Sequence, residues 1–180
     1  MQYKTIYADP PWRFENRTVR GAPEEKICVR YKTLTTEEVK NLNVAQFSAD
    51  SSHLYLWTPV SMMQEGLEVM QSWGWKYKTS LFWQKTRSDG EVHKGGLGFY
   101  FRNAVEVCLF GVRGKMRTLP PGRTQVNVIQ FPPTGHSQKP VAMYELIEAC
   151  SPGPYLELFA RNTRKGWSSW GDEVEKYGER

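Results

Sequence analysis

Six stretches of the chain are apolar at most positions and rich in β-branched and aromatic residues: 3–8, 53–57, 79–83, 105–112, 126–131 and 155–160. Runs of this length and composition predict strands. Most lack the apolar–polar alternation of a strand with one wet face, and so read as strands covered by helices on both sides. Between them the period changes. Thr35 and Glu38 form a Thr-x-x-Glu capping box, which opens a helix carrying Val39 and Leu42. Met63, Leu67 and Met70 fall three to four residues apart and predict a second helix with that stripe in the core. Pro140 predicts the first residue of a third, where its missing N–H is not needed. Val141, Tyr144, Leu146 and Ile147 continue its apolar face until Ser151-Pro152-Gly153. Strands alternating with helices predict an α/β layered domain. Two stretches follow neither period: 13–32, and 86–98 with Gly90, Gly95, Gly96 and Gly98. Long loops in a compact domain are binding loops or lids, or else disordered.

The 180 residues allow a single domain, 1–180, and 24 aromatic side chains exclude a disordered chain. Three cysteines, Cys28, Cys108 and Cys150, form no CxxC pair. That excludes a disulfide framework and a zinc ribbon and fits a reducing, cytoplasmic compartment. No window approaches the about 20 apolar residues of a membrane helix, and the N-terminus MQYKTIYADPPW has no signal-peptide core. His53, His93 and His136 are scattered, so no metal is expected. The net charge of +5 is uneven: residues 76–123 hold 10 basic and 3 acidic residues, against 8 and 9 before them and 6 and 7 after. This segment is either a solvated face or a phosphate-contacting surface.

Asp9-Pro10-Pro11-Trp12 follows the first strand directly. In an open α/β sheet, ligands bind outside the carboxyl ends of the strands. Two consecutive prolines fix two φ angles, remove two N–H donors and leave their carbonyls as acceptors. A carboxylate, rigid acceptors and an indole face together suit a planar ring with an exocyclic amino group. The plainer reading is a Pro-rich turn with a buried Trp. Lys139, as cap residue of the helix begun by Pro140, would leave helix N–H groups open beside an ammonium, which makes a carboxylate site; the plainer reading is an exposed Lys. Arg161 and Asn162 follow the last predicted strand at its carboxyl end. No GxGxxG follows the first strand, so a nicotinamide-dependent enzyme has no support.

The tetrapeptide Asp9-Pro10-Pro11-Trp12 resembles the signature of the adenine-N6 methyltransferases of the methyltransferase-A seventy-kilodalton family. That family holds the catalytic subunit of the eukaryotic messenger-RNA adenosine methyltransferase and short bacterial and phage relatives that look like DNA adenine methyltransferases. The resemblance continues through Leu54-Tyr55-Leu56-Trp57, Trp73-Gly74-Trp75, Phe82-Trp83-Gln84-Lys85-Thr86 and Phe101-Arg102-Asn103 with Glu106. It runs on through Gly111-Val112-Arg113-Gly114, His136-Ser137-Gln138-Lys139-Pro140, Ser151-Pro152-Gly153, Glu157-Leu158-Phe159-Ala160-Arg161 and Trp170-Gly171.

The resemblance implies a Rossmann-like, mostly parallel mixed sheet with helices on both faces and a permuted order, catalytic motif first and donor-binding strand last. It implies S-adenosylmethionine as methyl donor. Asp9, Pro10, Pro11 and Trp12 would be catalytic: the amino protons of adenine would bond to Asp9 and the Pro10 carbonyl, and Trp12 would stack on the base or wall its pocket. Asp9, Lys139, Glu157, Phe159, Arg161, Asn162, Asp172 and Glu173 would bind the donor, Lys139 at its carboxylate and Arg161 at its ribose. The family commonly has Asn where this chain has Asp172, which can accept a hydrogen bond but not donate one. The substrate implied is DNA, with RNA as the alternative and a non-catalytic nucleic-acid-binding subunit as a third reading. A base inside a duplex must be flipped or already unpaired. Loop 13–32 and the basic segment 76–123 are expected to flank the pocket, with Arg13, Tyr31, Lys85, Arg102, Asn103, Arg113, Lys115, Arg117 and Arg123 as nucleic-acid contacts. No separate target-recognition domain is expected; a homodimer or a related partner subunit is.

Overall fold

The computed structural model describes residues 1–14, 32–96, 100–133, 138–171 and 174. Cys28, Tyr31, His136, Asp172, Glu173 and nearly all of loop 13–32 lie outside the described residues. Seven strands form one sheet: β1 (Tyr3–Ala8), β2 (Ser48–Thr58), β3 (Lys76–Lys85), β4 (Val105–Arg113), β5 (Val128–Phe131), β6 (Tyr155–Leu158) and β7 (Trp167–Trp170). Their order is β5-β3-β4-β2-β1-β6-β7. Strand β4 is antiparallel to β2 and β3, and every other pairing is parallel. Helices α1 (Thr36–Lys40), α2 (Met63–Ser72) and α3 (Ala142–Cys150) connect them. The mixed, mostly parallel α/β sheet is the expected one.

The apolar runs are explained by burial on both faces. Ile6, Ala8, Leu54, Leu56, Val107 and Leu109 pack on one face with Val39, Val69, Met70 and Trp73 from around α1 and α2. The alternate residues Tyr7, Tyr55, Trp57, Cys108 and Phe110 pack on the other with Met143, Leu146, Ile147 and Cys150 of α3. The period of two thus sorts aliphatic from aromatic residues rather than apolar from polar. The capping box forms as read: the Glu38 N–H donates to the Thr35 hydroxyl at 3.2 Å, and the Thr35 N–H donates to Glu38 at 2.8 Å.

Four details differ from the sequence pattern. Strand β2 begins at Ser48, five residues early, so His53 lies inside it, fully buried against Ser151. The buried face of α2 is Gly66, Val69 and Met70, while Leu67 is exposed. The helix lies so close to β2 that a Cβ at Gly66 would meet Thr58 at 2.4 Å, which rotates Leu67 to the flank. Helix α3 starts at Ala142, and the Pro140 carbonyl accepts the Met143 N–H in a tight turn ahead of it. Lys139 is therefore not its cap, and Val141 is exposed. Strand β7 was not foreseen: Trp-Ser-Ser-Trp is four residues long with no alternation.

Because six strands share one direction, their ends make two distinct edges. The carboxyl edge gathers the residues after β1, β2, β3, β5, β6 and β7, and those before the reversed β4. The amino edge gathers the opposite ends, including the residues after β4.

Candidate active site

At the carboxyl edge, the chain leaves β1 through Asp9 and turns at once. The Trp12 N–H donates to the Pro10 carbonyl at 2.9 Å, and the Leu34 N–H donates to the Pro11 carbonyl at 2.8 Å. Both carbonyls, expected to be free acceptors, are thus engaged, each with one lone pair left. Trp12 is 6% exposed, and its indole N–H donates to the Trp57 carbonyl at 2.9 Å. Its indole is a fixed wall behind the turn.

Asp9 stands in a compact charge cluster. Lys139 Nζ lies 2.8 Å from Asp9 Oδ2 and 3.3 Å from Glu106 Oε2. Lys85 pairs with the other oxygen of Glu106. Lys139 is 14% exposed and also lies 5.2 Å from the centre of the Trp57 ring. Burial alone would push the Lys139 pKa down, but the charges of Asp9 and Glu106 outweigh it and hold it above the usual lysine value. Burial would raise Glu106, yet Lys139 and Lys85 hold it below the usual carboxylate value. The shifts of Lys139 and Glu106 thus come from the opposite charges packed against them, and each depends on its partners staying in place.

Two cavities meet at this cluster. The larger, about 450 Å³, is lined by Asp9, Pro11, Lys32, Leu34, Leu42, Phe159, Ala160, Arg161, Trp170 and Gly171. The smaller, about 260 Å³, holds Asp9, the rest of the Pro-Pro-Trp turn, Trp57, Asn103, Glu106 and Lys139. Asp9, Pro11 and Arg161 belong to both. The larger cavity depends on two unusual backbone positions. Phe159 has φ +62°, a left-handed conformation that disfavours a side chain by about 1–2 kcal/mol. Its ring meets Trp170 edge-on at 5.7 Å. At Gly171 any Cβ would lie 2.5 Å from the Ala160 carbonyl, so glycine alone permits this close approach. Among the described residues, no group of three or more His, Cys, Asp or Glu is placed to hold a metal ion.

The residues read from sequence fall into three sets. Asp9, Pro11, Trp12, Phe159, Arg161, Lys139 and Asn103 line the cavities, and Lys85 joins them through Glu106. Glu157 lies apart, under α3, where both carboxylate oxygens accept from the Tyr144 hydroxyl at 2.9 Å. Burial pushes its carboxyl up to about 7, against that hydrogen bond and helped by the charge of Asp9. Asn162 follows Arg161 with a buried Oδ1 that has no partner among the described residues. The nucleic-acid set divides. Arg102 and Asn103 stand exposed at the carboxyl edge. Arg13 is tied to Thr33, donating to its hydroxyl and carbonyl at 3.2 and 2.9 Å. Arg113, Lys115, Arg117 and Arg123 lie at the amino edge and do not flank the cavities, because β4 runs down the sheet before reaching them. Arg113 donates to Ser48 and Ala45 at 2.7 and 3.3 Å and covers Trp75. Glu106 had no assigned role, although a lone carboxylate in an otherwise apolar strand is a readable signal.

The profile of the MT-A70 family matches residues 3–173. The chain is 32% identical to the type II methyltransferase M.MunI of Mycoplasma sp, over 96% of this chain and 78% of that protein. It is 29% identical to the human N(6)-adenosine-methyltransferase catalytic subunit METTL3, over 97% of this chain and 28% of that protein. It is also 29% identical to the mouse N(6)-adenine-specific methyltransferase METTL4, over 97% and 38%. The chain thus spans most of the first relative and well under half of the other two.

Proposed function

Because the chain belongs to the MT-A70 family, we propose that it methylates the N6 amino group of adenine in DNA, with S-adenosylmethionine as donor. The meeting of two cavities at one carboxylate carries this reading: transfer between two bound molecules needs two sites with a shared wall at the reacting atoms. The choice of DNA is supported by the match to a short bacterial methyltransferase over most of both chains. Matches to the longer adenosine methyltransferases cover a smaller part of those proteins.

The residues of the larger cavity fit the donor. Phe159, Trp170, Leu34 and Leu42 offer apolar and aromatic walls for an adenosine, and Lys32 and Arg161 offer cations for its carboxylate. Bound there, S-adenosylmethionine supplies an electrophilic methyl on a sulfonium. The smaller cavity takes the acceptor base, with Trp12 and Trp57 as its walls. The amino lone pair of adenine is delocalised into the ring. Asp9 accepts one amino proton, through Oδ1, because Lys139 already occupies Oδ2; the spare lone pair of the Pro10 carbonyl accepts the other. Both bonds favour a pyramidal nitrogen aimed across the shared wall. The N–C bond would form as the donor's C–S bond breaks, the electron pair staying on sulfur as a neutral thioether, and the nitrogen would release a proton to Asp9 or to water. Lys139 and Glu106 hold the Asp9 carboxylate in place, so the site contributes orientation and preorganised charge rather than a strong base. A donor carboxylate reaching Lys139 would compete with Asp9 for it.

The test is a methylation assay on matched DNA and RNA oligonucleotides, with the modified nucleoside identified by mass. N6-methyldeoxyadenosine as the main product is expected. Preferential labelling of RNA would move the substrate, and methylation absent from adenine N6 in both would end the reading.

A further inference from the structure

Beside the smaller cavity two aromatic side chains stand almost wholly in solvent. Tyr100 is 94% exposed and Phe101 87%. A lone exposed apolar residue is ordinary, but two adjacent uncovered rings mark a contact surface. Their footing is braced. The Asn103 carbonyl accepts from the Gly96 N–H at 3.3 Å, and the Ala104 carbonyl accepts from the Lys85 N–H at 2.8 Å. The facing segment is pinned in turn by the His93 N–H on the Lys85 carbonyl at 2.9 Å and by the Thr86–Val92 bridge. Gly95, at φ +75°, lies so close that a Cβ would meet Arg102 at 2.8 Å.

The placement selects the partner. Asn103, two residues beyond Phe101, lines the cavity assigned to the acceptor base. At no more than about 3.6 Å per residue, the Cα atoms of Tyr100 and Phe101 lie within about 11 Å of that of Asn103, the span of one or two nucleotides. Exposed Arg102 sits between the rings and Asn103. Aromatic faces next to a guanidinium, at the mouth of a base-sized cavity, match the chemistry of a single nucleic-acid strand.

We propose that Tyr100 and Phe101 form a stacking platform for an unpaired base next to the target adenine, with Arg102 at the intervening phosphate. The proposal rests on the adenine methyltransferase reading and deepens it. The flanking base exchanges its own stack for an aromatic one, so the preferred substrate is a strand already open beside the target.

Binding, measured by fluorescence anisotropy, tests the platform apart from turnover. The probes are a labelled single-stranded deoxyoligonucleotide with one adenine, and the same strand with abasic sites on both flanks. For the wild-type protein the abasic probe should bind roughly five- to hundredfold more weakly. The Y100A/F101A variant should bind the intact probe about as weakly and show little further loss on the abasic one, with S-adenosylmethionine affinity unchanged. Equal abasic penalties in both proteins would overturn the platform. A drop in sedimenting mass with unchanged probe affinity would make the rings a contact between two copies of this chain, and would overturn it equally. Wild-type binding with the abasic penalty but no methylation would sink the functional reading and leave the platform standing.

Discussion

At the carboxyl edge of the sheet, Lys85 and Lys139 are 23% and 14% exposed, and both lie on carboxylates. At the amino edge, Lys78, Lys115, Arg117 and Arg123 are exposed around an open groove of about 620 Å³ whose described lining contains no Asp or Glu. The first set is held in fixed geometry where desolvation strengthens every charge; the second is screened by water and salt. All six residues carry charge of the same sign, and five of them, all but Lys139, lie with Arg102 in the single basic segment 76–123. Strand β4 separates the middle of that segment, at the carboxyl edge, from its last residues at the amino edge by about 27 Å, eight steps of about 3.4 Å. Buried, paired cations shape chemistry, and exposed, unopposed ones set long-range attraction.

The sharpest break between the edges comes from Asp9→Ala. Methyl transfer should fall by at least about a hundredfold, the scale of removing one preorganised electrostatic group, with the chain still folded and its melting temperature lowered by the loss of one partner of Lys139. A single-turnover assay beside thermal denaturation reads both. A folded Asp9→Ala variant with near-normal turnover would remove the carboxyl edge from the chemistry.

Stability distinguishes two cations of the amino edge that are two residues apart. Arg113→Ala removes two hydrogen bonds and the cover of Trp75 and should destabilise by about 1–3 kcal/mol. Lys115→Ala should stay within about 0.5 kcal/mol. Urea denaturation decides, and equal effects would mean that Arg113 is as loosely held as its neighbour.

Salt dependence measures whether bound nucleic acid reaches the far edge. The triple variant Lys115→Ala, Arg117→Ala, Arg123→Ala should lower the log–log salt slope by about 0.9 per lost phosphate contact on a duplex of about 30 base pairs. A strand of about three nucleotides, too short to span about 27 Å of sheet and still occupy the site, should show no change. Donor affinity should not move. An unaltered slope on the long duplex would make the amino edge a solvated face.

The smallest effect is a pH dependence. Burial raises the Glu157 carboxyl from the ordinary 4.5 to about 7, so the folded chain holds this proton more tightly than the unfolded one. Its contribution is complete below about pH 4.5 and is lost as pH rises through 7. Glu157→Gln, which keeps an acceptor for Tyr144, should flatten the fall in melting temperature over that window. His53 works in the opposite sense: burial lowers its pKa below 6.5, so its contribution is complete above that value and fades on acidification.

Much of this was legible in the chain. The limits of β1, the capping box and the Asp-Pro-Pro-Trp turn at a strand end are local, and local chemistry fixes them. The pairing of Lys139 with Asp9 spans 130 residues, and no spacing rule reports it; the sequence pointed Lys139 at a helix end instead. The reversal of β4 was equally hidden, because an apolar run carries no direction. Charge counted along 76–123 therefore merged two edges that the fold keeps apart. Strand β7 escaped because Trp167 is buried while Trp170 is half exposed, leaving no period to detect.

The reversal of β4 also has a consequence for how this protein can be altered. Parallel neighbours must be joined by a crossover long enough to return across the sheet. Residues 86–104, between β3 and β4, begin and end on the same edge and carry no such obligation. Lengthening that connection adds only about 0.6 kcal/mol of closure entropy per doubling, and the register of β3 on β4 is set by ten- and nine-residue strands outside it. The segment is thus a socket beside the smaller cavity, open to grafted sequence. One loop can be exchanged there with the larger cavity and the rest of the sheet left as they are.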